Sequence, residues 1–96
     1  MGWNVVIANK AAKQIKKLPE SARAALFLLM QDLKLYGPTT GGAWKNYSKL
    51  KGFVGDKRHC HLEKGRPTYV CCWEVLNNQL RIIEIYYAGT HEKAPY

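Results

Sequence analysis

Apolar and polar residues along the chain change their spacing twice, and each change marks a different element. Residues 3–8 (WNVVIA) are rich in β-branched side chains and predict a first strand. Asn9 is placed to cap a helix over Lys10–Leu18. In that helix Ala11, Ile15 and Leu18 share one face, while Lys10, Lys13, Lys16 and Lys17 populate the others. Pro19 has no N–H to leave unbonded in a first turn, so it predicts the start of a second helix from about Glu20 to Tyr36. Ala22, Ala25, Leu26, Leu29, Leu33 and Tyr36 make its apolar stripe, which Phe27, Leu28 and Met30 widen; Gly37-Pro38 ends it. With almost nothing between them, the two helices should form an antiparallel hairpin.

After a two-glycine loop over residues 39–46 the period becomes two. Tyr47–Lys51, Lys57–Glu63, Thr68–Leu76 and Leu80–Tyr87 read as strands, with residues 64–67 (KGRP) and 77–79 (NNQ) as turns. The order is strand, helix pair, then a meander of about four antiparallel strands. Helices on one face of such a sheet make the fold class α+β, in one domain spanning residues 1–96.

Alternation sorts the strand residues between the two faces of the sheet. Cys60 and Leu62 should point to the helices, and His59, His61 and Glu63 away from them. Tyr69, Cys71, Trp73 and Val75 form a core set, leaving Val70, Cys72 and Glu74 outside. In the last strand Ile83, Ile85 and Tyr87 are expected inside, and Glu84 and Tyr86 outside. The open face therefore carries imidazoles, an aromatic ring and carboxylates, with Lys49, Lys51, Lys57, Arg58 and Arg66 in flanking segments. The terminal run adds His91, Glu92, Lys93 and Tyr96, so all 3 histidines fall on one surface.

Charge gives that surface a class of partner. Fifteen Lys+Arg against 7 Asp+Glu give a net charge of +8, which suits a polyanion because each neutralised phosphate releases counterions. An acidic protein fits the same charge. The 3 cysteines, Cys60, Cys71 and Cys72, are odd in number, and no basic segment with an apolar run follows Met1; a reduced cytoplasmic protein is expected. The longest apolar run, Ala24–Met30, is far too short to span a bilayer, so no membrane partner is expected.

The same residues resemble the RelE/ParE superfamily of toxins from type II toxin–antitoxin systems. Lys49-Leu50-Lys51-Gly52 is similar to the family's K-L-[KR]-G at the start of its second strand. Gly89-Thr90-His91-Glu92 is similar to its C-terminal G-x-[HR]-[EKR]. The resemblance covers nearly the whole chain, and the order and spacing of the motifs are more specific than either motif alone. It implies a bacterial toxin that inhibits translation as a ribosome-dependent mRNA endoribonuclease, a hydrolase acting without metal or other cofactor. Its partners would be mRNA, the ribosome and a small acidic antitoxin.

Cleavage by 2′-OH attack needs a base, an acid for the departing 5′-oxygen, and cations for the phosphorane charge. RelE-type members with lysines on the sheet match His59 and His61 here, and their basic residue after the last strand matches His91. Arg58 and Arg66 complete the expected catalytic set, although Arg66 meets the family's mid-sheet arginine only after a shift of a few residues. Lys49, Lys51, Lys57, Tyr86, Lys93 and Tyr96 are the expected RNA-binding residues, with Tyr96 in the place of the family's terminal stacking aromatic. Three other readings stay open at this point: a ParE-type gyrase inhibitor, a relative that only binds an antitoxin, and a zinc site on His59, Cys60, His61, Cys71 and Cys72, whose spacing lacks CxxC or HxxxH. Trp44, in the loop, is a candidate contact to RNA or to a partner.

Overall fold

A computed structural model of the protein describes residues 2–42 and 44–96; Met1 and Ala43, the latter within the expected loop, lie outside the described residues. The elements are β1 (Asn4–Ile7), α1 (Asn9–Lys16), α2 (Glu20–Tyr36), β2 (Ser48–Lys49), β3 (Asp56–Glu63), β4 (Tyr69–Asn77), β5 (Ile82–Thr90) and a 3-10 turn (His91–Lys93). The sheet has 5 strands in the order β1-β5-β4-β3-β2. The expected meander is present, but β1 also joins the sheet, pairing in parallel with β5 (Asn4 opposite Ile82, Ile7 opposite Ile85). The helix pair carries the chain from β1 at one edge of the sheet to β2 at the other, and the meander then returns to bring β5 beside β1.

The core lies between the helices and one face of the sheet. Leu26, Leu29 and Leu33 of α2 and Ala11 of α1 meet Cys60, Leu62, Cys71, Trp73, Ile83, Ile85 and Ala88. The helix stripe is narrower than the apolar pattern suggested. Phe27, Leu28 and Tyr36 are each more than half exposed, because a helix on a sheet buries only the arc that faces it. Asn9 is not a cap: Ala8 holds that position without a side-chain bond, and Asn9 is the first helical residue. Pro19 likewise sits at the cap of α2, its carbonyl accepting from Arg23 N–H at 2.9 Å. The Arg23 guanidinium reaches back to the Leu18 carbonyl at 2.8 Å and so closes the end of the first helix.

Two irregularities overturn face assignments made by strict alternation. Cys72 pairs with Tyr87 but Trp73 pairs with Ile85, so Tyr86 is an extra residue on β5. This bulge turns both Tyr86 and Tyr87 to the open face and gives the helix side to Ala88. A second bulge lies between His61 and Glu63, and Glu63 faces the helices, accepting a hydrogen bond from the Ser21 hydroxyl at 3.0 Å. The open face is partly covered as well. Val70, Cys72 and Tyr87 are buried there against Tyr86 and Ala94, a small second core that holds the C-terminal segment on the sheet.

Candidate functional site

Strand β3 places His59 and His61 two residues apart, and therefore on one face. His91 comes to them from the other end of the chain. Its N–H donates to the Thr68 carbonyl at 2.8 Å, which fixes the 3-10 turn beside the start of β4. The ring centroids of His59 and His61 are 6.1 Å apart, and those of His61 and His91 5.5 Å. Tyr96 closes the group, 4.5 Å from His59 and 6.0 Å from His91. All 3 histidines and the terminal tyrosine thus form one cluster on the face opposite the helices. His59 lies beneath Tyr96, His61 is half-buried and His91 is exposed.

Burial holds the His59 imidazole below its ordinary pKa, the neighbouring His61 and His91 add to the shift, and a hydrogen bond to Ser48 opposes it. The Ser48 hydroxyl lies 3.2 Å from His59 Nδ1 because Ser48 and His59 are register partners across β2 and β3. His61 is lowered too, by burial first and then by His91 and Lys64. Both rings are therefore neutral near pH 7, with a nitrogen lone pair available to take a proton. Burial pushes the Tyr96 phenol up to about 12, so it remains a neutral ring with a hydroxyl donor. The Tyr86 phenol is also raised, by burial and its contact with Cys72.

The expected cations divide between the two faces. Lys57 lies on the histidine side, its ammonium 5.4 Å from the centre of the Tyr86 ring. Lys51 is exposed in the segment after β2, and Arg66 is exposed in the β3–β4 turn. Lys93 is exposed in the 3-10 turn and borders a cavity of about 660 Å3 together with Lys10, Lys17, Tyr69, Tyr86 and Tyr87. Arg58 and Lys49 do not join the histidines. Arg58 pairs with Trp73 on the helix side, donates to both Asp56 carboxylate oxygens at 2.9 and 3.0 Å, and reaches the Tyr47 hydroxyl at 2.9 Å. Lys49 is opposite Arg58 and lies 3.8 Å from the same carboxylate. Asp56, two residues before Arg58, was the sequence signal that this guanidinium had a partner. Ser48 escaped the sequence reading because its role depends on strand register.

The C-terminal motif has a mechanical basis. A Cβ on Gly89 would stand 2.7 Å from the Tyr87 hydroxyl oxygen, so only glycine lets that ring lie back along its own strand. There the hydroxyl donates to the Thr90 carbonyl at 2.7 Å, one residue before His91. Cys60 and Cys71 are register partners in the helix-side core, and Cys72 lies on the opposite face of the sheet. Among the described residues no three His, Cys, Asp or Glu side chains converge where they could hold a metal ion. Trp44 packs against the core, with its indole N–H donating to Asp32 at 2.6 Å.

No family model matches the sequence, and no curated protein does. Solved structures do match in fold. The archaeal RelE–RelB complex of Pyrococcus horikoshii superposes with a TM-score of 0.75 at 21% identity, over 98% of this chain and 100% of that one. A double arginine-to-alanine mutant of the Escherichia coli toxin RelE in the free state gives 0.74 at 18% identity, over 98% and 88%. A metal-bound toxin from Helicobacter pylori gives 0.62 at 17% identity, over 95% and 97%. The chain has the fold of the RelE-like toxins.

Proposed function

We propose that the chain is a toxin of a toxin–antitoxin pair that cuts mRNA by metal-independent attack of the ribose 2′-OH. The observation that carries this reading is the cluster of three imidazoles on the sheet face opposite the helices, with His61 lying 6.1 Å from His59 and 5.5 Å from His91, roofed by Tyr96. His61 stands between the other two and is neutral, so it is placed to take the 2′-OH proton. As the 2′-oxygen bonds to phosphorus, the bond from phosphorus to the 5′-oxygen breaks. His91, on the solvent side, hands a proton to that oxygen. The products are a 2′,3′-cyclic phosphate and a free 5′-hydroxyl.

Lys51, Lys57 and Arg66 supply positive charge around the phosphorane, where fixed cations act most strongly. Tyr96 swings from His59 onto a nucleobase, a stacking contact of about 1–3 kcal/mol. His59, held by Ser48, positions His61 from behind. The net charge of +8 supports a nucleic-acid substrate presented by the ribosome in the cytoplasm. It equally supports binding of an acidic antitoxin, and the fold relatives include a RelE–RelB complex and an Escherichia coli RelBE toxin–antitoxin complex.

The test replaces His59, His61 and His91 singly with Ala and maps mRNA 5′ ends in a translating extract. General acid–base groups contribute about 10²- to 10⁴-fold each, so cleavage should fall by that order in the His61 and His91 variants. Full cleavage in all three variants would remove the site. DNA breaks in place of cut mRNA would point to gyrase instead.

A further inference from the structure

We infer that Thr68 is a positioning residue of the cleavage reaction, tying the β3–β4 turn that carries Lys64 and Arg66 to the 3-10 turn that carries His91; the inference rests on the ribonuclease reading of the histidine cluster. Strand β3 ends at Glu63, β4 begins at Tyr69 and β5 ends at Thr90. These ends lie side by side, because Glu63 pairs with Tyr69 and Tyr69 with Thr90. The chain leaves that row twice, over residues 64–68 and over His91–Lys93. Thr68 is bonded to both excursions. Its hydroxyl donates to the Gly65 carbonyl at 3.0 Å and closes the first. Its carbonyl accepts from the His91 N–H at 2.8 Å and holds the second.

The β3–β4 turn depends on such bonds, because Lys64, Gly65, Arg66 and Pro67 are all exposed and bury nothing against the core. A threonine hydroxyl that bonds a nearby backbone group is a common way to fix a turn of this kind. The turn also reaches the other half of the reaction. His61 is held below its ordinary pKa by burial first, then by His91 and by Lys64 of this turn. The charged neighbours that act on His59 are His61 and His91. One turn therefore acts on His61 through Lys64 and holds His91 through Thr68, with Arg66 between them in sequence. The two rings stand 5.5 Å apart although strand β4 separates β3 from β5, so their spacing depends on how these strand ends are joined. Acid and base must address the same phosphate, and a misplacement of about 1 Å can cost about a hundredfold in rate.

Thr68→Val keeps the size and branching of the side chain and deletes the hydroxyl, whereas Thr68→Ser keeps the hydroxyl. Cleavage per folded molecule in a translating extract should fall about tenfold in T68V, part of what full misplacement costs, and stay near the unaltered rate in T68S. In an Arg66→Ala background T68V should cost clearly less, because the two residues act through one turn. An NMR titration of the full chain reads the tie without activity. Once the turn loosens and Lys64 moves off, His61 should titrate closer to 6.5 in T68V, with a smaller change at His59. The His91 amide should exchange faster in T68V and not in T68S. Undiminished cleavage in T68V, an equal loss in T68S, or an unmoved His61 titration overturns the tie. No mRNA cutting by the unaltered chain would sink the nuclease, and the titration and the amide exchange would still decide the tie.

Discussion

The Tyr96 ring lies 4.5 Å from that of His59, centroid to centroid and tilted by 46°, and with Ser48 and His61 it encloses an imidazole that is only 9% exposed. Tyr96 thus covers a ring on the sheet. Tyr96→Ala should rehydrate His59 and move its pKa up, toward the ordinary 6.5, as read from the ring proton shifts in an NMR titration. Removing the stacking group should also cut mRNA cleavage roughly tenfold or more. An unmoved His59 titration would show that Tyr96 is not its cover.

Acid stability follows from the same rings. His59 and His61 both titrate below 6.5 in the folded chain and near 6.5 in the unfolded one. Between the lowered values and 6.5 the unfolded state binds more protons, so stability falls as pH drops through that window and is insensitive to these groups above it. Urea midpoints measured from pH 7.5 to 5 should decline, and the decline should be shallower in His59→Asn. Asp56, with a pKa lowered below 3.8 by Arg58, contributes a separate loss at more acid pH.

The contacts of Arg58 predict a contribution to stability rather than to cleavage. It is bonded to both Asp56 oxygens and to Tyr47 on the helix side of the sheet. Arg58→Ala should cost about 1–3 kcal/mol in urea denaturation, the range for charge-assisted bonds in a partly buried site. Cleavage per folded molecule should not change; a loss comparable to that of the histidine variants would return Arg58 to the active set.

Gly89→Ala tests the device behind the C-terminal motif. The new methyl would meet the Tyr87 hydroxyl at 2.7 Å, displacing the ring and its bond to the Thr90 carbonyl. Loss of that bond and of local packing should cost about 1–3 kcal/mol. The His91 turn should lose amide-exchange protection before the core strands do. Tyr87→Phe, which removes only the hydroxyl, should reproduce the local effect at about 0.5–1.5 kcal/mol.

How much of this was legible depended on where the strands are regular. From Lys57 to His61 strand β3 keeps its period, and alternation alone placed His59 and His61 outward and Cys60 inward. Each bulge then inverted the residues beyond it, and so Glu63 and Tyr87 were assigned to the wrong faces. No local pattern announces the register that brings Ser48 to His59, or the parallel seam between β1 and β5. Arg58 and Lys49 were grouped with the histidines on charge alone, whereas the alternation of Arg58 with Cys60, the pairing of Lys49 with Arg58 and the nearby Asp56 carboxylate place them apart from the histidine cluster. The α+β order was readable because helix and strand periods are distinct, and the convergence of His91 on His61 followed from the strand order.

Strand β1 has its only strand neighbour in β5, almost the whole length of the sequence away. A chain emerging from its place of synthesis in N-to-C order therefore carries an unsatisfied first strand and a half-built core until the last strand is released. High-separation pairings of this sort slow folding. The surface that brings His91 to His61 therefore forms only once β5 and the 3-10 turn after it have left the site of synthesis.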